Sequence, residues 1–260
     1  MRLAVLIPTY DNAATILDVL HRALAVWPDV IVVNDGSTDA TGRLLQEEQQ
    51  RTEAFHLVDC TTNGGKGTAL RKGFERARQL GYTHVLTLDA DGQHYPEDAP
   101  ALIDLAQRHP NAIIVGSRRF DDANMPPGSR FANRFSNFWF TVQTLRSIPD
   151  TQTGFRIYPL NRLGGLRILT SRYEAELELL VFSSWRGTPI IPAPVRVFYP
   201  DPAERVTHFR PHADFARISV LNTILCLLAL LYGWPRILLR RILHHLRRLT
   251  SPTSRPTSDL

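Results

Sequence analysis

Cysteine is scarce: Cys60 and Cys226 are the two in 260 residues, and they lie far apart in the chain. That excludes a disulfide framework and any zinc site built on paired cysteines. No histidine pair at i, i+4 encloses a glutamate, so the helical zinc-hydrolase motif is missing too. The first predicted strand runs into Pro8-Thr9-Tyr10 and not into a glycine fingerprint, which leaves a dinucleotide-binding βαβ unit unsupported. Asn63-Gly64-Gly65-Lys66-Gly67-Thr68 resembles a phosphate loop but lacks the glycine at 60 and the Ser or Thr at 67 that a P-loop needs. Hydrophobic residues make up 43% and charged residues 21%. That is a globular composition, neither that of a disordered chain nor that of a polytopic membrane protein. The opening MRLAVLIPTYDN carries one basic residue and a short apolar run before Pro8, and is expected to be a first strand and not a signal peptide.

Charge is concentrated. Residues 236–248 hold five arginines and no acid, and the rest of the chain balances at 25 basic and 25 acidic side chains. The overall net charge of +5 therefore belongs to one short segment that follows an apolar run. This favours an anionic membrane surface over nucleic acid as the partner.

The first 116 residues alternate between two periods. LAVLIP (3–8), VIVVND (30–35), FHLVDC (55–60), HVLTLDAD (84–91) and AIIVGS (112–117) read as strands. Helical spacing fills 13–26, 38–52, 67–80 and 96–108. Such alternation predicts an α/β fold with a mainly parallel sheet covered by helices on both faces. Further on, 121–130 reads as a loop, 131–147 and 173–184 as helices, and 189–199 as an extended segment interrupted by proline. Residues 150–156 form a polar loop running toward a strand. The expected organisation is a catalytic domain over 1–210, a membrane-associated segment over 211–249 and a disordered tail over 250–260.

Ligands of such sheets bind at the carboxyl ends of the strands, and the polar residues fall there. Asp89-Ala90-Asp91 places two carboxylates two residues apart at a strand end, a pair suited to Mg²⁺ or Mn²⁺ bridging to a diphosphate. In Asp35-Gly36-Ser37-Thr38-Asp39, Ser37 or Thr38 is expected to cap the next helix. Asp35 is left to hydrogen-bond a nucleobase or ribose. Lys66 offers a charge in a glycine loop that lets backbone approach a nucleotide. Arg118, Arg130, Arg134, Arg156 and Arg205 read singly as surface cations, with Arg118 and Arg130 the better phosphate ligands. Asp150 is the first candidate for a general base. Glu174, Glu176 and Glu178 are further candidate bases, with a solvated helix face as their ordinary reading, and His208 reads as structural or ligand-contacting.

Taken together, IPTYDN, VVNDGSTD, NGGKGTAL, LTLDADGQHYPED, VGSRR, DTQTGFR and YEAELELL resemble family 2 glycosyltransferases with the GT-A fold. The branch they resemble is that of dolichol-phosphate mannosyltransferases and polyprenyl-phosphate glycosyltransferases. The resemblance covers about 3–210. It implies that Pro8, Tyr10 and Asp35 line the nucleotide pocket. It also implies that Asp89, Asp91 and Gln93 hold the metal and the donor diphosphate, and that Arg118 and Arg130 hold an acceptor phosphate. Two features depart from the family: Asn12 stands where many members have an acid, and one apolar run replaces the usual two or more membrane helices.

The expected reaction is metal-dependent, inverting transfer of a sugar from a UDP- or GDP-sugar to a lipid or polyprenyl-phosphate acceptor. Asp91, Arg118 and Asp150 are expected to carry the catalysis. A saccharide or other hydroxyl acceptor is the alternative, and a catalytically silent membrane scaffold is another. Residues 218–234 are short for a span, and a span would put the arginines on the far side, against the positive-inside rule. Gly233 and Pro235 are expected to break the helix and turn it back. Leu238, Ile242, Leu246 and Leu249 would then lie in the cytoplasmic leaflet as a monotopic anchor.

Overall fold

The computed structural model describes residues 1–118, 127–165, 170–199 and 211–250. Arg119, Arg205, His208 and the tail from 251 onward lie outside the described residues. Seven strands form one sheet: β1 (Leu3–Thr9), β2 (Val30–Asn34), β3 (Phe55–Asp59), β4 (His84–Thr87), β5 (Ile113–Ser117), β6 (Arg156–Pro159) and β7 (Ile190–Pro194). Their spatial order is β3-β2-β1-β4-β6-β5-β7. All neighbours are parallel except β6, which runs antiparallel to both β4 and β5.

Successive side chains of β1 point to opposite faces, as a strand requires. Ala4 and Leu6 enter one core cluster, and Leu3, Val5 and Ile7 enter the other. The second cluster is covered by α1 (Ile16–Val26), α2 (Thr41–Arg51) and α4 (Ala99–Arg108). The first is covered by α3 (Lys66–Gln79), α5 (Pro127–Thr144), α6 (Glu174–Trp185) and the C-terminal helix. Both faces of the sheet are thus buried, as the sequence predicts.

The antiparallel β6 has a positional consequence. Its first residue, Arg156, pairs with Thr87 near the end of β4 and with Val115 of β5. The loop before it, Asp150–Phe155, therefore sits at the carboxyl ends of the parallel strands.

Three expectations need correction. Helix α5 starts at Pro127, within the stretch read as loop, because proline's fixed φ and missing N–H suit a first helical position. Glu174, Glu176 and Glu178 are 7%, 6% and 0% exposed, so α6 is buried nearly all round and carries no solvated acidic face. Gly233 and Pro235 do not reverse the chain. Helix α7 (Pro211–Leu228) passes through a π-helical turn at Ala229–Gly233 into α8 (Trp234–Thr250). Leu228 and Trp234, which flank that turn, both have right-handed helical dihedrals.

This long helix is docked along the domain. Leu221, Leu225, Ala229, Gly233 and Ile237 are buried, a strict spacing of four that an α-helix would rotate off one face. The π turn widens the helix midway and returns the stripe to the protein. Gly233 lets it approach: a Cβ there would meet Trp185 Nε1 at 2.5 Å. Trp234 donates to the Val142 carbonyl (3.0 Å), and Gln143 donates to Asn222 Oδ1 (2.9 Å). The opposite side exposes Leu227, Leu231, Leu239, Ile242 and Leu246, each at least half exposed. The side chain of Leu249 is outside the description.

Candidate active site

The loops after β1 and β2 are laced together by their own carboxylates. Asp11, at a positive φ of 50°, accepts the amides of Thr38 (2.6 Å) and Asp39 (3.2 Å). Asp39 in turn accepts the amide of Thr41, first in α2, and that of Ala13. The group at the start of α2 is therefore Asp39. Ser37 and Thr38 do not cap it, and Ser37 Oγ donates to Asn34 Oδ1 (2.6 Å). Pro8 is buried within β1 opposite Val33, and Tyr10 lies half-buried at the strand's end.

Asp35 is 2% exposed. Its carboxylate accepts the amides of Gly64 (3.1 Å) and Gly65 (2.6 Å), so it shapes the glycine loop that precedes α3. Burial pushes this carboxyl up, against the opposing effect of the two amides and Lys72. Gly36 packs against the backbone of Thr62 and Asn63 with no room for a Cβ, which brings the two loops together.

Lys66, at the start of α3, bridges Asp89 Oδ1 (2.7 Å) and Glu176 Oε2 (2.8 Å). Burial opposes its charge, but the two carboxylates outweigh burial and raise its pKa. Burial would also raise Asp89, yet Lys66 and then His94 hold it below the usual range. Asp91 behaves oppositely. Burial, then the charge of Asp89, pushes it up to about 6. Its Oδ1 accepts the amide of Gln93 (3.0 Å). His94 is 7% exposed and stacks on Phe155 at 5.4 Å. Burial takes its pKa down to about 4.

Two carboxylates whose charges repel are a fit for a divalent cation. Among the described residues no group of three or more His, Cys, Asp or Glu side chains comes together to hold a metal unaided. Oxygen donors suit Mg²⁺ or Mn²⁺, and a two-carboxylate set leaves most positions to phosphate oxygens and water.

Across β6 lies the second half of the site. Asp150 is fully buried and takes a two-pronged contact from Arg118, Nε to Oδ2 at 2.6 Å and Nη2 to Oδ1 at 3.0 Å. Asn133 Nδ2 (2.6 Å) and the amides of Gln152 and Thr153 also donate to Oδ1. Burial would raise this carboxyl, but Arg118 and the hydrogen bonds hold it below the usual range. Both oxygens of Asp150 are thus engaged, Oδ2 by Arg118 and Oδ1 by Arg118, Asn133 and two amides. Asn133, which donates to Asp150, is also part of the wall of a cavity of about 370 Å³ lined by Arg130, Asn133, Arg134, Asn137 and Pro149.

Arg134 is exposed, as the sequence reading has it, and lines the same cavity as Arg130. Its i, i+4 spacing from Arg130 on one helix is the signal that unites them. Arg156, also read as a surface cation, is a correction. It is fully buried, and its guanidinium donates to the carbonyls of Thr151 (2.8 Å) and Glu176 (2.9 Å), tying the Asp150 loop to α6.

The model of the family described as Glycosyl transferase family 2 matches residues 4–161. An undecaprenyl-phosphate mannosyltransferase of Micrococcus luteus is 26% identical over 203 residues, 75% of this chain and 83% of that protein. A polyprenol monophosphomannose synthase of Mycolicibacterium smegmatis is 32% identical over 167 residues, 60% of this chain and 61% of its own. Among solved structures, glucosyl-3-phosphoglycerate synthase from Mycobacterium tuberculosis, in complex with Mn²⁺, UDP-glucose and phosphoglyceric acid, superposes with a TM-score of 0.60. The match spans 88% of this chain and 79% of that one, at 17% identity, a likeness of fold.

Proposed function

The chain belongs to glycosyl transferase family 2, and from that premise we propose that it moves a sugar from a nucleotide-diphosphate donor to a polyprenyl-phosphate acceptor at a membrane. The observation that carries this reading is the arginine set at the ligand end of the sheet. Arg118 is fixed by a buried carboxylate, and Arg130 and Arg134 line the neighbouring cavity. Guanidinium groups held in place are suited to a phosphate anion. The names of the Micrococcus and Mycolicibacterium relatives point the same way.

Such an acceptor arrives already charged, so it needs orientation more than deprotonation. That agrees with an Asp150 whose oxygens are all engaged. In this scheme Arg118, Arg130 and Arg134 hold the acceptor phosphate with one oxygen turned toward the anomeric carbon. Attack comes from the face opposite the departing diphosphate, which inverts the anomeric centre. Asp89, Asp91 and Gln93 are the groups that would hold Mg²⁺ or Mn²⁺, which supplies positive charge to the leaving diphosphate. Lys66 and Glu176 keep the Asp89 carboxylate turned toward that position. Tyr10, Asp35 and the glycine loop it shapes form the nucleotide end of the pocket, beside Pro8.

We further propose attachment within the plane of the cytoplasmic leaflet, where nucleotide sugars are found. Ala216–Leu243 is long and apolar enough to cross a bilayer by length and composition. Yet residues from Leu221 to Ile237 are docked on α5 and α6, and a span would draw those helices into the hydrocarbon. An in-plane helix keeps the docking and buries the exposed leucines instead.

The test uses labelled UDP- and GDP-sugars, Mg²⁺ or Mn²⁺, and a polyprenyl phosphate, with Asp91→Ala as control. Metal-dependent label in the organic phase, absent with the variant, is the expected result. Label appearing only on water-soluble hydroxyl acceptors would overturn the lipid-phosphate assignment. No transfer from any donor would favour a scaffold.

A further inference from the structure

A second basic cavity lies away from this site, where the C-terminal ends of α5 and α6 meet α8. Its volume is about 400 Å³, and it is lined by Arg146, Ser184, Gly187, Ile237, Arg240, Arg241 and His245, with no acid among them. Helix α5 separates it from the first cavity. Arg130 and Arg134 stand near one end of that helix and Arg146 just beyond the other, and the ten residues of helix from Arg134 to Thr144 span about 15 Å.

The arginines gather here without anionic partners among the lining groups. Arg146 donates to the Thr188 carbonyl (3.3 Å) and Arg241 to the Leu145 carbonyl (3.4 Å). Arg240 crosses directly over Gly187, where a Cβ would collide with its guanidinium. Its Nη2 is buried and has no hydrogen-bond partner. Burial, then Arg241, pushes Arg146 below its ordinary pKa, and burial, then Arg236 and Arg146, does so for Arg240. Three guanidiniums around one cavity, one with an unused buried donor, make a site for an anion.

Position identifies the anion. Leu238, Leu239, Ile242, Leu243 and Leu246 occupy the side of α8 opposite Ile237, and each is 46–57% exposed. A helix lying with that side in the acyl region carries its other side at the level of the headgroups. Ile237, Arg240 and Arg241 are on that other side. We propose that this cavity holds the headgroup phosphate of an anionic phospholipid beside α8. The inference rests on the in-plane attachment proposed above.

The test is co-flotation of the full chain with vesicles of phosphatidylcholine, with and without phosphatidylglycerol. R146Q/R241Q is compared with R247Q/R248Q, which removes the same charge from the same end of the chain. Removing two charges from a diffuse surface attraction weakens binding roughly thirtyfold. The expected result is that loss for R247Q/R248Q and at least tenfold more for R146Q/R241Q, with sugar transfer to a detergent-solubilised acceptor unchanged in both. Equal losses would overturn the pocket and leave membrane attachment standing. Wild-type protein that binds neither vesicle would overturn both, while the transfer assay still decides the enzymatic reading. If inorganic phosphate raises the Tm of wild type but not of R146Q/R241Q, and vesicle binding falls equally, the site takes free phosphate and the lipid assignment is wrong.

Discussion

Gly154 lies against the carboxylate of Asp89 so closely that a Cβ on the glycine would overlap both oxygens. One side of Asp89 is thus walled by backbone from the Asp150–Phe155 loop, and the other is pinned by Lys66. The first carboxylate of the D-x-D pair is positioned by a residue 65 places further along the chain.

Gly154→Ala should therefore displace Asp89 while leaving the fold intact. A misplacement of about 1 Å in a catalytic group costs on the order of a hundredfold. Steady-state kinetics should show that loss in kcat/KM, with unchanged far-UV circular dichroism. Full activity in the alanine variant would mean that Asp89 is free to move aside.

Asp150→Asn separates a positioning role from a base. Removing the charge leaves the Arg118 guanidinium, 14% exposed, without its counter-ion, and breaking a buried pair costs about 3–5 kcal/mol. Urea unfolding should show the loss. Kinetics should show a raised KM for the acceptor with the pH profile retained. Disappearance of the acidic limb of the profile would restore Asp150 as the base.

Metal binding should weaken as pH falls. Asp91 takes a proton near pH 6, and below that pH a cation must displace it. Affinity for Mn²⁺ in the presence of nucleotide diphosphate should then fall about tenfold per pH unit. Asp91→Asn should bind weakly at every pH, with that slope gone. Electron paramagnetic resonance titration of free Mn²⁺ measures both.

His84 supplies a pH dependence of stability. It is 6% exposed, and its ring contacts the Pro110 carbonyl and Thr83 Oγ1, each at 2.9 Å. Burial lowers its pKa from an ordinary 6.5. The unfolded chain then binds the proton more readily, so stability is constant above about pH 6.5 and declines as pH falls toward the folded value. His84→Gln should flatten the decline between pH 6.5 and 5 in thermal melts, and an unchanged slope would assign it to other groups.

The parts of this fold that were legible in the sequence share a physical cause. β1, β2 and most of β5 are continuous apolar runs because both sheet faces are covered there, and polar residues follow at their carboxyl ends. Asp150 was visible as a residue type but not with its hydrogen-bond partners. Its partners Arg118 and Asn133 are 32 and 17 residues away, and only β6, entering antiparallel, brings them together. The glutamates of α6 misled because a helix buried on all sides has no polar face to contrast with. Pro235 misled for a subtler reason. Proline disrupts a helix through the carbonyl four residues back, but here the preceding turn is already i→i+5, with the Trp234 amide donating to Ala229. The ladder is interrupted where the proline would break it.

Helix α5 carries Arg130 and Arg134 near its start, and at its end it is bonded to the C-terminal helix through Val142 and Gln143. It therefore serves as a spacer of fixed gauge between the first cavity and whatever surface the leucines of α8 rest on. Its pitch sets both a height and a heading. Inserting four residues between Arg134 and Val142 would lengthen the spacer by about 6 Å and turn the arginines by about 40°. The insertion would change heading as well as height.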